Sequence, residues 1–140
     1  MKILLIELET KGHHISSYIR SIVHNLVNKN KKIILLTTSG IKKKDYYSYL
    51  RKNTKIIFTK KIKQPVKKDI ISLLKYQFNY YKLIKVEYLK IIKTNEIDLI
   101  YLNTLDFFDK VLAILGSPFG STKFLGLANG MRNKSEVRHS

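Results

Sequence analysis

The chain has 140 residues, of which 44% are hydrophobic and 11% aromatic, and 27 Lys and Arg against 10 Asp and Glu give a formal net charge of +17. This length accommodates one hydrophobic core, and the apolar content excludes a disordered basic tail. Because there is no cysteine, a disulfide-stapled mini-protein and a thiolate metal site are excluded as well.

The amino-terminal segment has the apolar pattern of a β-α-β unit. A nearly continuous apolar run at residues 2–8 predicts a strand buried on both faces of a parallel sheet. Between residues 14 and 27, apolar side chains recur at spacings of three and four, which is typical of an amphipathic helix. A second buried strand is predicted at 33–38, so the connection should be a right-handed crossover.

The middle of the chain carries almost all of the excess charge, because residues 29–93 contain nineteen basic and three acidic side chains. Within this segment we predict a short surface helix at 45–52 and a strand at 55–59. The longest periodic stretch, residues 66–93, predicts one long helix or two joined ones.

Two faces of this predicted long helix differ in chemistry. Lysines recur every seven residues on one face, at Lys68, Lys75 and Lys82. Apolar residues keep to another face, which we expect to contact the core. They are Ile70, Leu74, Phe78, Tyr81, Ile84, Tyr88 and Ile91.

The carboxy-terminal third continues the alternation of predicted strands and helices. We predict a strand at 97–102, a helix at 106–115 ended by Gly116, and a strand at 123–127. The whole order predicts an α/β protein with a Rossmann-like parallel sheet of about five strands and helices on both faces. One domain should cover residues 1–130, and residues 131–140 should form a polar tail or the start of an interdomain connection.

Ligands of such sheets bind outside the carboxyl ends of the strands, so the loop after the first strand is a candidate site. Gly12 permits a tight turn there, and the helix start behind His13 and His14 offers N–H groups to a phosphate. A dinucleotide fingerprint requires three glycines, and this loop has one. An exposed turn pair is the alternative interpretation of the two histidines.

Polar residues also follow the fourth and fifth predicted strands. Asn103 and Thr104 should reach a sugar hydroxyl, and Asp106 should take its proton as a general base or, alternatively, cap the next helix. Asn129 stands at the end of the fifth strand. We predict no metal site.

The opening MKILLIELETKGHHISSYIRSIVHNLVNKNKKIILLTT resembles the start of GT-B glycosyltransferases of the family 4 (group 1) type. The later segments DLIYLNT and KFLGLANG are similar to that family's fourth and fifth strands and the loops after them. The resemblance extends over roughly residues 1–130, and its most specific part is the helix entry led by GHH.

The resemblance implies the amino-terminal, acceptor-side half of a nucleotide-sugar-dependent enzyme that makes cell-surface polysaccharide or glycolipid. Gly12 and His13 match the loop that approaches the donor phosphates, and Asn103 and Thr104 match the polar loop after strand four. Asn129 matches a position near the reacting sugar where many members carry histidine.

In that family a carboxy-terminal domain holds the nucleotide-sugar through paired glutamates. We therefore expect this chain to be a fragment or a split subunit that is inactive without such a domain or partner. The nucleotide-sugar is a co-substrate, no further cofactor is expected, and the acceptor is a sugar or a lipid-linked sugar.

The basic helix suggests a cytoplasmic protein that is peripheral on an anionic membrane, with Lys68, Lys75 and Lys82 facing the lipid. Tyr76, Tyr80 and Tyr81 would suit that interface. A solvated lysine face on an ordinary domain helix is the alternative.

Two other function classes compete with the transferase. A charge of +16 over residues 29–93 would attract nucleic acid, although no specific nucleic-acid motif is present. A receiver-like regulatory domain would need an acidic cluster after the first strand and an aspartate after the third. Glu7 and Glu9 supply the first weakly, and Thr59, Lys60 and Lys61 stand in the second place.

Overall fold

A single sheet organises the chain in the computed structural model, which describes residues 1–11, 14–103, 105, 108–127 and 137–139. Its strands lie in the order β3-β2-β1-β4-β5-β6. The strands are β1 (Lys2–Ile6), β2 (Lys32–Thr38), β3 (Lys55–Thr59), β4 (Leu99–Leu102), β5 (Phe124–Leu127) and β6 (Val137–His139). The first five pair in parallel, which confirms the predicted α/β fold with a parallel sheet.

Helical segments connect the strands at nearly the predicted places. A π-helical turn (His14–Ile19) leads into α1 (Arg20–Asn28), and a 3-10 turn (Ser39–Lys43) precedes α2 (Tyr47–Asn53). The long segment is a single helix, α3 (Ile70–Ile91), and α4 (Asp109–Leu115) ends at Gly116. None of the helices in the described part of the chain is long and apolar enough to cross a bilayer.

The two faces of the sheet are covered by different helices. On one face, α1 and α2 pack on β1 and β2 through residues such as Val23, Leu50 and Leu35. On the other face, α3 and α4 pack on the same strands, with Ile84 and Val111 against Leu4. The apolar runs of the strands are therefore buried on both sides, as the sequence predicts.

The α3 helix begins later than the lysine pattern suggests. Asp69 is its N-cap, because the carboxylate Oδ1 accepts a hydrogen bond from the Ser72 backbone N–H at 2.7 Å. Lys68 therefore lies in the loop before the helix, whereas Lys75 and Lys82 lie on the helix, and all three side chains are exposed.

The predicted apolar face of α3 is wrong for its amino-terminal half. Ile70, Leu74 and Phe78 are exposed, with 74%, 36% and 47% of their surface accessible. The helix packs against the core from Tyr76 onward, and the Gln77 side-chain oxygen accepts from the Lys110 N–H of α4 at 2.9 Å. The first two turns have no element over them in the described part of the chain, so their apolar side chains face outward.

Two of the tyrosines proposed for the membrane interface lie instead in the core. Tyr80 stacks on Phe108 with ring centroids 5.4 Å apart, and the Tyr81 hydroxyl donates to the Gly116 carbonyl oxygen at 2.8 Å. Both are buried, so neither can contact a lipid surface.

The sixth strand lies within the segment predicted as a polar tail. β6 pairs antiparallel with β5, with Leu125 opposite His139 and Leu127 opposite Val137. The sequence predicts no strand there, because three residues are too few to give a period-two signal.

Candidate functional site at the carboxyl edge of the sheet

The strand order defines where a ligand would bind. From β1 the chain runs outward to β2 and β3, and it then crosses to the other side of β1 to form β4. The connections on the two sides of the β1–β4 boundary use opposite faces of the sheet. This boundary is the topological switch point, where open α/β sheets bind ligands beyond the carboxyl ends of the strands.

A row of buried polar side chains marks this boundary. Ile6 is paired with Leu36 of β2 and with Leu102 of β4, so the next residue on each strand, Glu7, Thr37 and Asn103, continues the row. All three side chains are fully buried. Each comes directly after, or at the end of, an apolar run, so the sheet places three polar groups side by side.

The Glu7 carboxylate accepts hydrogen bonds from the residue after β4 and from the loop that follows β1. Its Oε1 accepts a hydrogen bond from the Asn103 Nδ2 at 2.8 Å, and its Oε2 accepts from the Glu9 backbone N–H at 3.1 Å. Burial of a carboxylate is unfavourable unless such donors compensate it. The Asn103 amide is thereby held with its nitrogen toward Glu7.

The Thr37 hydroxyl differs from its neighbours in the row. Its oxygen is buried and makes no hydrogen bond to any residue that the structure describes. By contrast, the Thr38 hydroxyl on the other face donates to the Leu8 carbonyl oxygen at 3.2 Å. The Thr37 hydroxyl is therefore a buried polar group without a hydrogen-bond partner among the described residues.

The negative charge at the switch point affects the pKa of a tyrosine on each face of the sheet. Burial, and next the Glu7 charge, raise the pKa of Tyr101 above its usual range. Burial, followed by the charges of Glu9 and Glu7, raises the pKa of Tyr76 on α3. Both tyrosines therefore stay protonated and neutral at physiological pH.

The loop after β1 is fixed by close contact with the loop after β2. A Cβ atom on Gly40 would overlap the Thr10 hydroxyl oxygen and would lie 3.2 Å from the Thr10 Cβ. Thr10 is itself buried, so it has little room to withdraw. Glycine at position 40 is therefore required for the close approach of the two loops.

We expect Gly40→Ala to lower the free energy of unfolding by about 1 to 2 kcal/mol, because the added methyl group overpacks this contact. Urea denaturation followed by circular dichroism measures the change. The double variant Gly40→Ala/Thr10→Ala removes the overlapping oxygen and should regain most of the loss. An unchanged stability of Gly40→Ala alone would contradict the contact.

The predicted site residues are distributed as follows. Asn103 lies at the switch point beside Glu7, and His14 begins the π-helical turn that leads into α1. π-helical turns are rare and often lie at functional sites. The predicted residues Gly12, His13, Thr104, Asp106 and Asn129 lie outside the described residues.

Glu7 and Thr37 belong to the site, but the sequence does not predict either of them as a site residue of the transferase. The available signal was an acidic residue that interrupts a buried apolar run, since Glu7 follows Ile3–Ile6 directly. In the described part of the chain, no group of three or more His, Cys, Asp or Glu side chains is placed to hold a metal ion.

Neither a protein-family model nor a curated protein matches this chain. The fold and the polar row at the switch point are therefore the observations from which a function has to be argued. Fold alone does not specify chemistry, so the function of this chain depends on the residues of the site.

Proposed function

We propose that this chain is the acceptor-side half of a nucleotide-sugar-dependent glycosyltransferase that acts in cell-surface polysaccharide or glycolipid synthesis. The observation that carries the proposal is the buried Glu7–Asn103 hydrogen bond at the switch point. A stabilising core would place apolar residues there, whereas a binding site needs oriented polar groups. The resemblance of the amino-terminal β-α-β unit to family 4 enzymes supports the same function.

In this proposal Glu7 is a positioning residue. Its carboxylate holds the Asn103 nitrogen, so the buried amide keeps one orientation behind the acceptor site. Charge-assisted hydrogen bonds of this kind are roughly twice as strong as neutral ones, which suits a group that must not rotate. Asn103 is fully buried and acts as a positioning residue with Glu7, whereas Thr104 contacts an acceptor hydroxyl and Asp106 receives its proton.

The loop of Gly12, His13 and His14 approaches the donor phosphates in the proposed enzyme, and Asn129 lies near the reacting sugar. A separate carboxy-terminal domain or partner subunit binds the nucleotide-sugar, as the family resemblance implies. Stabilisation of the leaving nucleotide diphosphate belongs to that part. The acceptor is a sugar or a lipid-linked sugar on the cytoplasmic side of a membrane.

We expect the isolated 140-residue chain to bind an acceptor sugar but to transfer none. Titration of the isotope-labelled protein with simple hexoses and N-acetylhexosamines, followed by NMR, should shift amide signals at the ends of β1 and β4. Incubation with UDP- and GDP-sugars together with these acceptors should give no product.

Variants separate a specific site from weak surface binding. Glu7→Gln preserves the shape of the side chain but removes its charge, and it should weaken sugar binding by about tenfold because the hydrogen bond to Asn103 loses its charge assistance. Asn25→Ala changes an exposed asparagine on α1 and should have no effect. Turnover by the isolated chain, or sugar shifts that Glu7→Gln leaves unchanged, would overturn the proposal.

Nucleic-acid binding is tested in parallel with the same labelled protein. An RNA or DNA oligonucleotide should produce only salt-dependent shifts with no preference for sequence, as expected for any basic surface. A sequence preference that survives added salt would favour a nucleic-acid-binding module over the transferase.

A further inference from the structure

The outer side of α3 is a continuous surface of alternating apolar and basic residues. Six exposed positions follow one another at spacings of four and three residues, so they share one side of the helix. They are Ile71, Lys75, Phe78, Lys82, Lys85 and Leu89. We call these six residues the α3 outer face.

The apolar residues of this region are unusually exposed. Ile71 is 79% accessible, and the flanking Ile70 and Val66 are 74% and 90% accessible. Single exposed apolar residues are ordinary, but here several large ones lie together on one helix and the loop before it. Such a cluster marks an interaction surface.

Positive charge predominates on this side of the molecule, although Glu9 lies near Lys61 and Lys63. Residues 55–86 contain nine lysines and one acid, Asp69. The Asp69 carboxylate accepts from the Ser72 N–H as the helix cap, and this hydrogen bond lowers the pKa of the carboxyl group. The next acid, Glu87, has a mostly covered side chain that lies 3.5 Å from Lys90. The surface therefore complements an anionic partner.

A basic groove lies beside the α3 outer face. The loop after β3 and the side of α3 enclose a cavity of about 500 Å³, which includes Lys60, Lys61, Lys63 and Lys82 in its lining. An adjoining depression of about 370 Å³ includes Lys63, Lys67 and Lys75. Lysines line both spaces, which are large enough for phosphate groups.

We propose that the α3 outer face and this groove dock the protein on an anionic phospholipid bilayer. Ile71, Phe78 and Leu89 insert at the level of the headgroups, and the lysines extend their ammonium groups to the lipid phosphates. The helix lies on the surface and does not cross it. The inference does not rest on the proposed sugar chemistry.

A second copy of the chain fits this face less well than lipid. In a symmetric pair, the same lysines of two copies would face each other, and like charges at close range are unfavourable. A bilayer supplies negative charge and an apolar layer at once. Because apolar residues lie between the lysines, binding should depend on apolar insertion as well as on electrostatic attraction.

Vesicle flotation tests the proposal with the full chain. At low salt the protein should float with vesicles of phosphatidylglycerol and phosphatidylcholine and should stay behind with phosphatidylcholine alone. Replacing Lys68, Lys75 and Lys82 by Gln should weaken binding on the order of tenfold to a hundredfold, because a lysine near an anionic surface contributes about fivefold before screening. The matched triple Lys29, Lys43 and Lys44→Gln removes the same charge elsewhere and should lose far less.

The apolar contribution has its own variant. Ile71→Ser/Phe78→Ser should weaken binding by about tenfold or more, because two large apolar side chains no longer enter the headgroup layer. Ile114→Ser, which changes a residue that is 75% accessible on α4, should leave binding unchanged. Circular dichroism establishes that each variant is folded.

Three results would overturn the docking surface. The first is no flotation of the unmodified protein with anionic vesicles. The second is equal loss in the two lysine triples, since binding would then follow net charge and not this face. The third is a dimer in solution that Ile71→Ser/Phe78→Ser dissociates while flotation is unchanged, which would assign the face to a second copy.

Discussion

Replacing Asn103 by leucine should lower the free energy of unfolding by about 2 to 3 kcal/mol at neutral pH, because the buried Glu7 carboxylate loses a charge-assisted donor. Leucine has nearly the shape of asparagine, so little of the loss arises from a cavity. The 2.8 Å hydrogen bond that is removed joins β1 to β4 across the switch point. Urea denaturation followed by circular dichroism measures the change.

A double-mutant cycle isolates the pair. Glu7→Met/Asn103→Leu replaces both partners by apolar groups of similar shape, which is often nearly neutral for stability. The double variant should therefore be more stable than Asn103→Leu alone, with a coupling energy of about 1 to 2 kcal/mol. Additive losses in the two single variants would show that Glu7 and Asn103 do not interact.

The cycle also bears on function. If an apolar pair is as stable as the native one, stability does not explain the presence of Glu7 and Asn103 at this place. The same double variant should then lose the sugar-induced NMR shifts while remaining folded. Binding would then be lost while stability is kept, which distinguishes a binding site from a structural hydrogen bond.

The strands could be predicted because their signal is local. Residues 55–59 are predicted as a strand and form β3 with the same bounds, and the other parallel strands differ by one or two residues at their ends. The runs of β1 and β2 are covered by helices on both faces, so they are nearly continuously apolar and can be found without reference to their neighbours. The fold class follows from the order of these runs.

The site could be predicted only in part, because it depends on contacts that are distant in sequence. Asn103 was identified from its place after a strand. Its hydrogen-bond partner Glu7 lies 96 residues away, and only the position of β4 beside β1 brings them together. Thr37 joins them through the register of β2, which no local pattern reveals.

The error on α3 has a related cause. Apolar periodicity shows which side of a helix is apolar, but it does not show where a packing partner begins. Ile70 and Leu74 follow the same periodicity as Ile84, yet α4 reaches only the later part of the helix. The periodicity therefore places the first turns of α3 in the core, although they are exposed.

The same substitution at a buried and at an exposed phenylalanine tests whether Phe78 lies outside the core. Phe119→Ala should lower the free energy of unfolding by about 3 to 5 kcal/mol, because a fully buried ring is removed and a cavity remains. The ring is 1% accessible and lies between Tyr88 and Phe124, with centroids 5.2 Å and 5.3 Å away. Urea denaturation again provides the measurement.

Phe78→Ala is the matched control, because the apolar periodicity of α3 would predict a large loss of stability there as well. That pattern places Phe78 in the core, whereas the structure leaves its ring 47% accessible on the α3 outer face. The expected change is within about 0.5 kcal/mol, as for other surface substitutions. A loss at Phe78 as large as that at Phe119 would mean that α3 buries this face within the chain, and the surface would then be unavailable to lipid. A small loss at Phe78 together with weakened flotation would assign the ring to binding.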